Sequence, residues 1–149
     1  MITAEELELH AKWLRAESDG VRLDNLAGAN LAGAKLAGVD IRGADIRDAN
    51  LADASGLPVA ADAAERLKDV ATAALQPNAL QMDTWHTCGT AHCIAGWAIH
   101  LAGEPGRLME SMMGAEVAGL LLLGTEAHQH FYDSNEQALE YLRGVVANG

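Results

Sequence analysis

The residues best suited to chemistry lie between 85 and 97, a stretch that holds both cysteines of the chain together with two histidines and two tryptophans. Thiols and imidazoles act in proteins as nucleophiles, as general bases and as zinc ligands. The candidate residues are His86, Cys88, His92 and Cys93. Three interpretations are open: a reactive cysteine, a metal site and a packing element.

A reactive cysteine would be Cys93, which is predicted to lie in the first turn of a helix, where the backbone N–H groups stabilise a thiolate. His86 or His92 would then be its base. The sequence offers no recognisable third group for such a site. It therefore gives only part of what a catalytic constellation needs.

A zinc site has the right kinds of ligand in this stretch, but their spacing departs from that of a zinc knuckle. His86 and Cys88 are separated by one residue, and His92 and Cys93 are adjacent, so no C-x₂-C pair forms. His128 and His130 would complete a ligand set only through tertiary contact.

The packing interpretation explains the same residues without chemistry, and it is the one we favour. A glycine-bearing turn enters a helix capped by Thr90, and the small side chains of Cys93 and Gly96 allow a neighbouring helix to approach closely. Trp85 and Trp97 would anchor the surrounding lobe. We therefore expect no catalytic residue, no metal and no cofactor.

The elements around this stretch begin with a repeat of five residues, which runs from Val21 to Leu57. A large apolar residue fills one position of every unit, and glycine or aspartate follows it two residues later. The large residues are Leu26, Leu31, Leu36, Ile41, Ile46 and Leu51. A period of five suits neither a helix nor a flat strand, so the repeat predicts a solenoid whose units turn at glycine or aspartate corners.

The units ANLAG, ADIRD and ANLAD resemble the consensus A-(D/N)-L-x-x of the pentapeptide repeat family. The resemblance implies a right-handed quadrilateral β-helix with four units per coil and outward-facing polar side chains. The repeat is long enough for fewer than two coils. A stack this short has two open ends, and each needs a cover.

The predicted fold is mixed and has three parts. Residues 1–20 form an N-terminal capping helix, which opens with a capping box of Thr3 and Glu6, residues 21–58 form the β-helix, and residues 59–149 form an α-helical lobe. The helices of the lobe are predicted over 60–75, 91–102, 107–113, 115–123 and 135–147. The run from 118 to 123 is apolar all round, so it should be buried.

The net charge is −11, and most of the acidic excess lies outside the repeat. Because no basic patch exists, direct nucleic-acid binding is not expected, and basic partners are favoured. No apolar run is long enough to span a membrane. The acidic N-terminus does not resemble a signal peptide, so a cytoplasmic protein with reduced thiols is expected. A simpler reading of the charge is solubility alone.

The C-terminal sequence MDTWHTCGTAHCIAGW, together with LAGEPG and FYDSNEQAL further on, resembles pentapeptide-repeat proteins of bacteriophages and prophages. Long family members resemble B-DNA and bind DNA gyrase, and small acidic phage proteins such as anti-CRISPR inhibitors occupy DNA-binding channels. The C-terminal resemblance carries no activity that can be assigned to residues. Our hypothesis, drawn from these precedents, is a non-catalytic acidic inhibitor that blocks a bacterial nucleic-acid-binding complex, either a CRISPR effector or DNA gyrase, by DNA mimicry.

Mimicry would need carboxylates at phosphate-like spacing, and the repeat is too short and too nearly neutral to supply them. The flanking segments supply the candidates: Glu5, Glu6, Glu8, Glu17, Asp62, Glu65, Asp69, Glu110, Glu116, Glu136 and Glu140. Two alternatives remain open. One is an enzyme or zinc protein built on the cysteine and histidine stretch, and the other is a scaffold that dimerises through a solenoid end.

Overall fold

The computed structural model describes residues 26–37, 39–83, 86–87 and 91–148, with the side chains described at all of these positions except 86, 87 and 91. The expected capping helix over 1–20, and with it Glu5, Glu6, Glu8 and Glu17, lies outside the described residues. Within the described ranges, no helix combines the length and the apolar character needed to cross a bilayer.

The repeat segment stacks its units through parallel backbone bridges, which join Asn30 to Asn50 and Lys35 to Ser55. Each bridge connects a residue to its equivalent four units later, as coils of four five-residue units require. The amide of Leu26 donates to the carbonyl of Asp45 at 2.7 Å in the same register. The large residues lie inside the stack, where Leu26, Leu31, Leu36, Ile41, Ile46 and Leu51 are all buried.

The corners of the coil fall where the sequence predicted them, two residues after the large side chain. The backbone φ there is positive, at 67° for Gly28 and 57° for Asp53. Residues with a Cβ reach this left-handed region at a cost, which is smallest for glycine and moderate for aspartate or asparagine. The choice of glycine or aspartate at this position is therefore a backbone requirement.

This requirement makes a prediction about Gly28. Replacement by alanine should lower the free energy of unfolding by about 1 kcal/mol, because a Cβ at Gly28 meets nothing within 4 Å and the cost is confined to the backbone. Asp53→Gly at an equivalent corner should leave stability unchanged or raise it. Urea denaturation of both variants tests this, and equal losses at the two positions would contradict it.

The lobe contains six helices and one short hairpin within the described residues. We number the helices α1 Ala63–Ala74, α2 Ile94–Ala102, α3 Glu104–Met113, α4 Ala115–Leu123, α5 Thr125–His128 and α6 Asn135–Asn148, and the strands β1 His86–Thr87 and β2 Ala91–His92. The two strands pair antiparallel, with His86 opposite His92.

The lobe differs from the sequence prediction in several places. Helices α1 and α3 begin at Ala63 and Glu104 instead of at 60 and 107. The helix expected over 91–102 begins only at Ile94, because Ala91–His92 is the second strand of the hairpin. The residue that caps this helix is accordingly Cys93, in place of Thr90. The short helix α5 was not predicted at all, whereas α4 has the predicted bounds.

Helix α4 lies between two apolar cores, which explains why it is apolar on all sides. Ala118, Leu122 and Leu123 belong to the core of the lobe, which also holds Val70 and Ile99. The other side of the helix packs against the coil. That second core joins Val117, Leu120 and Leu121 to the stacked leucines and isoleucines of the repeat segment.

The lobe also supplies hydrogen-bond acceptors to the edge of the last coil. The amide of Gly43 donates to the carbonyl of Met113 at 2.8 Å, and the amide of Ile46 donates to a carboxylate oxygen of Glu116 at 3.2 Å. One coil before Ile46, the amide of Leu26 donates to the next coil. The end of α3 and the start of α4 thus replace the coil that is missing, so this end of the stack is closed.

Candidate functional site

The acidic residues singled out from sequence separate into exposed and partly buried groups. Asp62, Glu65 and Asp69 are exposed along α1, and Glu136 and Glu140 are exposed on α6. Because α1 and α6 pack against each other, these five carboxylates lie on neighbouring helices.

Some of the charge along α1 is balanced locally. Arg66 Nε lies 2.9 Å from a carboxylate oxygen of Asp62, and Lys68 Nζ lies 3.7 Å from one of Glu65. Exposed ion pairs of this kind contribute little to stability, but they reduce the charge offered to a partner. Asp62 and Glu65 therefore attract a cationic partner less strongly than carboxylates that have no lysine or arginine beside them.

An open groove of about 670 Å³ lies where α5 and α6 meet α1, and we call it the acidic groove. Its carboxylates are Glu126, Asp133 and Glu140, and Leu67 and Val145 supply apolar lining. Among the described residues that line it there is no lysine or arginine. Its titratable nitrogen base is His130, so the lining is acidic overall, and an acidic surface of this kind attracts positively charged groups.

One wall of the groove is a stacked aromatic pair. The ring of His130 lies 3.7 Å from that of Tyr141 at an interplanar angle of 12°. His130 Nδ1 is 2.7 Å from a carboxylate oxygen of Asp133, which fixes the orientation of the imidazole. Burial, with Glu126 and Asp133 nearby, raises the pKa of Tyr141 to about 12, so its hydroxyl stays protonated at neutral pH. The wall is therefore both rigid and uncharged on the tyrosine side.

The start of α6 is held by a capping box of Ser134 and Gln137. The amide of Gln137 donates to Ser134 Oγ at 3.3 Å, and the amide of Ser134 donates to Gln137 Oε1 at 3.0 Å. This reciprocal pair fixes where the helix begins. It thereby fixes the position of Glu140 relative to the turn that carries Asp133.

The sequence reasoning missed two of the three groove carboxylates, Glu126 and Asp133. Glu126 lies on α5, which was not predicted, and Asp133 was not among the acidic candidates. A signal was present in the sequence EAHQHFYDS, where acidic residues flank two histidines and a tyrosine. Only the tertiary fold, however, brings this segment against Glu140.

Glu110 and Glu116 are half-buried, which distinguishes them from the exposed candidates. Glu116 accepts the hydrogen bond from the amide of Ile46, so it is engaged at the junction with the coil. Burial is the largest influence on this carboxyl and raises its pKa above the ordinary value. Glu116 therefore serves the fold, and it is poorly placed to imitate a phosphate.

Both arginines in the described part of the repeat segment are paired with aspartates of the same segment. Arg42 Nη2 lies 2.7 Å from Asp40 Oδ2, and Arg47 Nη2 lies 2.7 Å from Asp45 Oδ2. The guanidinium of Arg47 lowers the pKa of Asp45 by hydrogen bonding. Each arginine thus neutralises the aspartate two residues before it, so the coil presents little net charge to a partner.

Cys93 caps the N-terminus of α2, where its sulfur accepts a hydrogen bond from the amide of Gly96 at 3.3 Å. Burial raises the pKa of this thiol to about 11, so it is protonated at neutral pH. The rings of His92 and Trp97 meet edge to face at 4.8 Å, and Trp97 Nε1 donates to the carbonyl of Ala79 at 2.7 Å. The surroundings of Cys93 are those of a packed helix start.

The metal alternative involves four candidate ligands, of which two have described side chains. Cys88 and the side chain of His86 lie outside the described residues, while His92 and Cys93 lie within them. Across the described ranges, no three histidine, cysteine, aspartate or glutamate side chains are grouped so that they could hold a metal ion.

The buried thiol gives a second prediction. In a Cys88→Ser background, a thiol reagent should label native Cys93 about a hundredfold more slowly at pH 8 than the urea-unfolded protein, because a pKa of about 11 in place of 9.0 lowers the thiolate fraction by that factor. Labelling reactions that are quenched at successive times and analysed by mass spectrometry give the rates for the native and the unfolded protein. Rapid native labelling would revive the reactive-cysteine interpretation.

Taken together, the coil, its helical closure and the acidic groove describe a repeat segment joined to a helical lobe. Residues 25–55 match the family model described as pentapeptide repeats (8 copies), so this segment of the chain consists of pentapeptide repeats. Neither a curated protein nor a solved structure matches the chain.

Proposed function

We propose that this protein is a non-catalytic, acidic binding module that docks on a basic surface of a partner protein. The acidic groove carries the proposal, because it places Glu126, Asp133 and Glu140 around one concave surface whose described lining holds no lysine or arginine. Pentapeptide repeats suit such a role, since they present a rigid stack on which a binding surface can be held. The protonated thiol of Cys93 supports the non-catalytic assignment.

The partner that we propose is a bacterial nucleic-acid-binding complex, in the cytoplasm of the host cell. A surface that accepts phosphates also accepts carboxylates, and binding to it releases the counterions that nucleic acid would release. A CRISPR effector or DNA gyrase would be such a complex, and both are targets of the phage and family precedents described above. The net charge of −11 favours binding to a positively charged surface of this kind.

In this proposal the lobe provides the binding surface and the repeat segment provides the scaffold. We infer that the segment is a short right-handed quadrilateral β-helix of fewer than two coils. Its arginines are paired with its own aspartates, so the coil is a poor imitation of a duplex. Long family members bind gyrase by imitating a DNA duplex along their coil, and this chain is poorly suited to that. It is better suited to occupying a compact basic channel.

The experiment is an affinity pull-down from bacterial lysate, washed at stepped salt, with bound proteins identified by mass spectrometry. We expect a DNA- or RNA-binding complex that is retained at low salt, released by salt and displaced by added nucleic acid. Capture of a protein that ignores both salt and nucleic acid would contradict the proposal. A nuclease-treated lysate serves as the control against bridging by nucleic acid.

A further inference from the structure

His128 is a buried polar side chain to which the proposed function gives no role. It is the last residue of α5 and only 1% exposed, with its ring against those of Phe131 and Tyr132 at 5.3 and 5.9 Å. Neither Nδ1 nor Nε2 has a hydrogen-bond partner among the described residues. A buried imidazole of this kind is tolerated only while it is neutral.

The ring lies at the junction between the lobe and the repeat segment. The coil groups that act on it are the backbone of Ile46 and the carboxylate of Asp48. The amide of Ile46 donates to Glu116 on α4, which is the helix that immediately precedes α5. His128 therefore borders the same short stretch of coil that the lobe closes by hydrogen bonding.

We propose that this junction is acid-sensitive, so that protonation of His128 opens the contact between α5 and the coil and breaks the hydrogen bonds that close the coil at Gly43 and Ile46, while the helices of the lobe stay folded. The inference does not depend on the proposed function. It concerns how the two parts of the chain hold together, and it makes the closure of the coil conditional on pH.

The charged groups around the ring decide the direction of the effect. Asp48 of the coil acts on the imidazole itself, whereas Asp45 and Arg47 of the coil and Glu116 of α4 act on the adjacent Tyr132. Burial dominates and lowers the pKa of His128 from 6.5 to about 4, although Asp48 acts in the opposite sense. The closed junction thus binds fewer protons than the released one. Its stability is fully present above pH 6.5 and is lost as the pH falls toward 4.

Glu116 acts in the opposite direction, because its pKa is raised in the closed junction. A carboxyl with a raised pKa favours the closed form as the pH falls, so it offsets the effect of His128 in the acidic range. Glu116 is present in both the unaltered protein and the His128→Gln variant, so the difference between the two proteins isolates the contribution of His128. The measurement is made between pH 7.5 and about 5.5, a range that begins above the ordinary pKa of an imidazole and ends below it.

The test is amide hydrogen exchange at Gly43 and Ile46, corrected for the intrinsic pH dependence of exchange. We expect lower protection there than at Ile99 in α2, and a fall of about tenfold in the Gly43 and Ile46 protection factors between pH 7.5 and 5.5. In the His128→Gln variant the fall should disappear. A fall that persists in this variant, or protection equal to that of Ile99 at every pH, would overturn the proposal.

A measurement on the unaltered protein covers the case in which His128→Gln does not fold. Nuclear magnetic resonance of the histidine rings follows the protonation of His128 directly. We expect this ring to stay neutral at pH 5.5 in molecules whose Gly43 and Ile46 amides remain protected. Titration of His128 near its ordinary pKa with the junction still protected would show that the closed form accepts the proton, and the proposal would be wrong.

Discussion

Leu120→Ala is expected to lower the free energy of unfolding by about 3 kcal/mol, within the range found for fully buried leucines. Leu120 is 0% exposed and belongs to the core that α4 shares with the stacked residues of the coil. The truncation leaves a cavity between coil and lobe. Because the same helix also packs into the lobe core, we expect one cooperative transition at lower denaturant concentration.

The matched control is Leu108→Ala, which makes the same chemical change on α3 at a side chain that is 58% exposed. This variant should change the free energy of unfolding by less than about 0.5 kcal/mol. Urea denaturation followed by circular dichroism measures both. Similar losses for the two variants would mean that α4 does not join the coil to the lobe.

Gly119→Ala should also destabilise the protein, by about 2 kcal/mol, although alanine is the better helix former. A Cβ built on Gly119 would lie 2.6 Å from the Cβ of Ala95 and 3.1 Å from the ring of Phe131. The backbones of α4 and α2 approach too closely for a methyl group. The two helices must separate, and the loss of packing exceeds the gain in helix propensity.

The same substitution at Gly144 in α6 should have the opposite sign. A Cβ there meets nothing within 4 Å, so Gly144→Ala should raise the free energy of unfolding by about 0.5–1 kcal/mol through helix propensity alone. Thermal and urea denaturation of the two variants measure the difference. A stabilising Gly119→Ala would show that α2 and α4 are less closely packed than the structure describes.

The repeat was readable from sequence because each of its requirements is local. The five-residue period places the large side chains inside, and the corner at Asp53 needs a residue that tolerates positive φ. The helix over 115–123 was equally clear, because glycines bound it on both sides and its apolar composition requires burial. The paired repeat bridges agree with coils of four units, and the family match covers residues 25–55.

The closure of the coil was not readable, because its partners are far apart in the chain. Nothing near Ile46 indicates that its amide will find the carboxylate of Glu116, seventy residues away. From sequence, Glu116 resembled any other acidic residue in the first turn of a helix. The hairpin was missed for a related reason, since two-residue strands have too few positions to show a period.

The sequence predicted that the lobe would be acidic, but it did not predict where its carboxylates would come together. The acidic excess after the repeat predicted carboxylates on the lobe, and Glu140 was among the candidates. Its neighbours Glu126 and Asp133 were not, because their proximity depends on how α5 and the turn after it fold against α6. Charge can be counted from a sequence, whereas the clustering of charge depends on helix packing.

The most direct test of the proposed binding surface compares two double variants with the same change in net charge. Glu126→Gln with Glu140→Gln alters the acidic groove, and Asp53→Asn with Glu104→Gln alters exposed carboxylates elsewhere. Fluorescence anisotropy with a short arginine-rich peptide, at low and high salt, gives the dissociation constants. We expect the groove pair to weaken binding about tenfold and the control pair less than about threefold. Equal weakening by both pairs would mean that only overall charge matters, and it would contradict a binding site in the acidic groove.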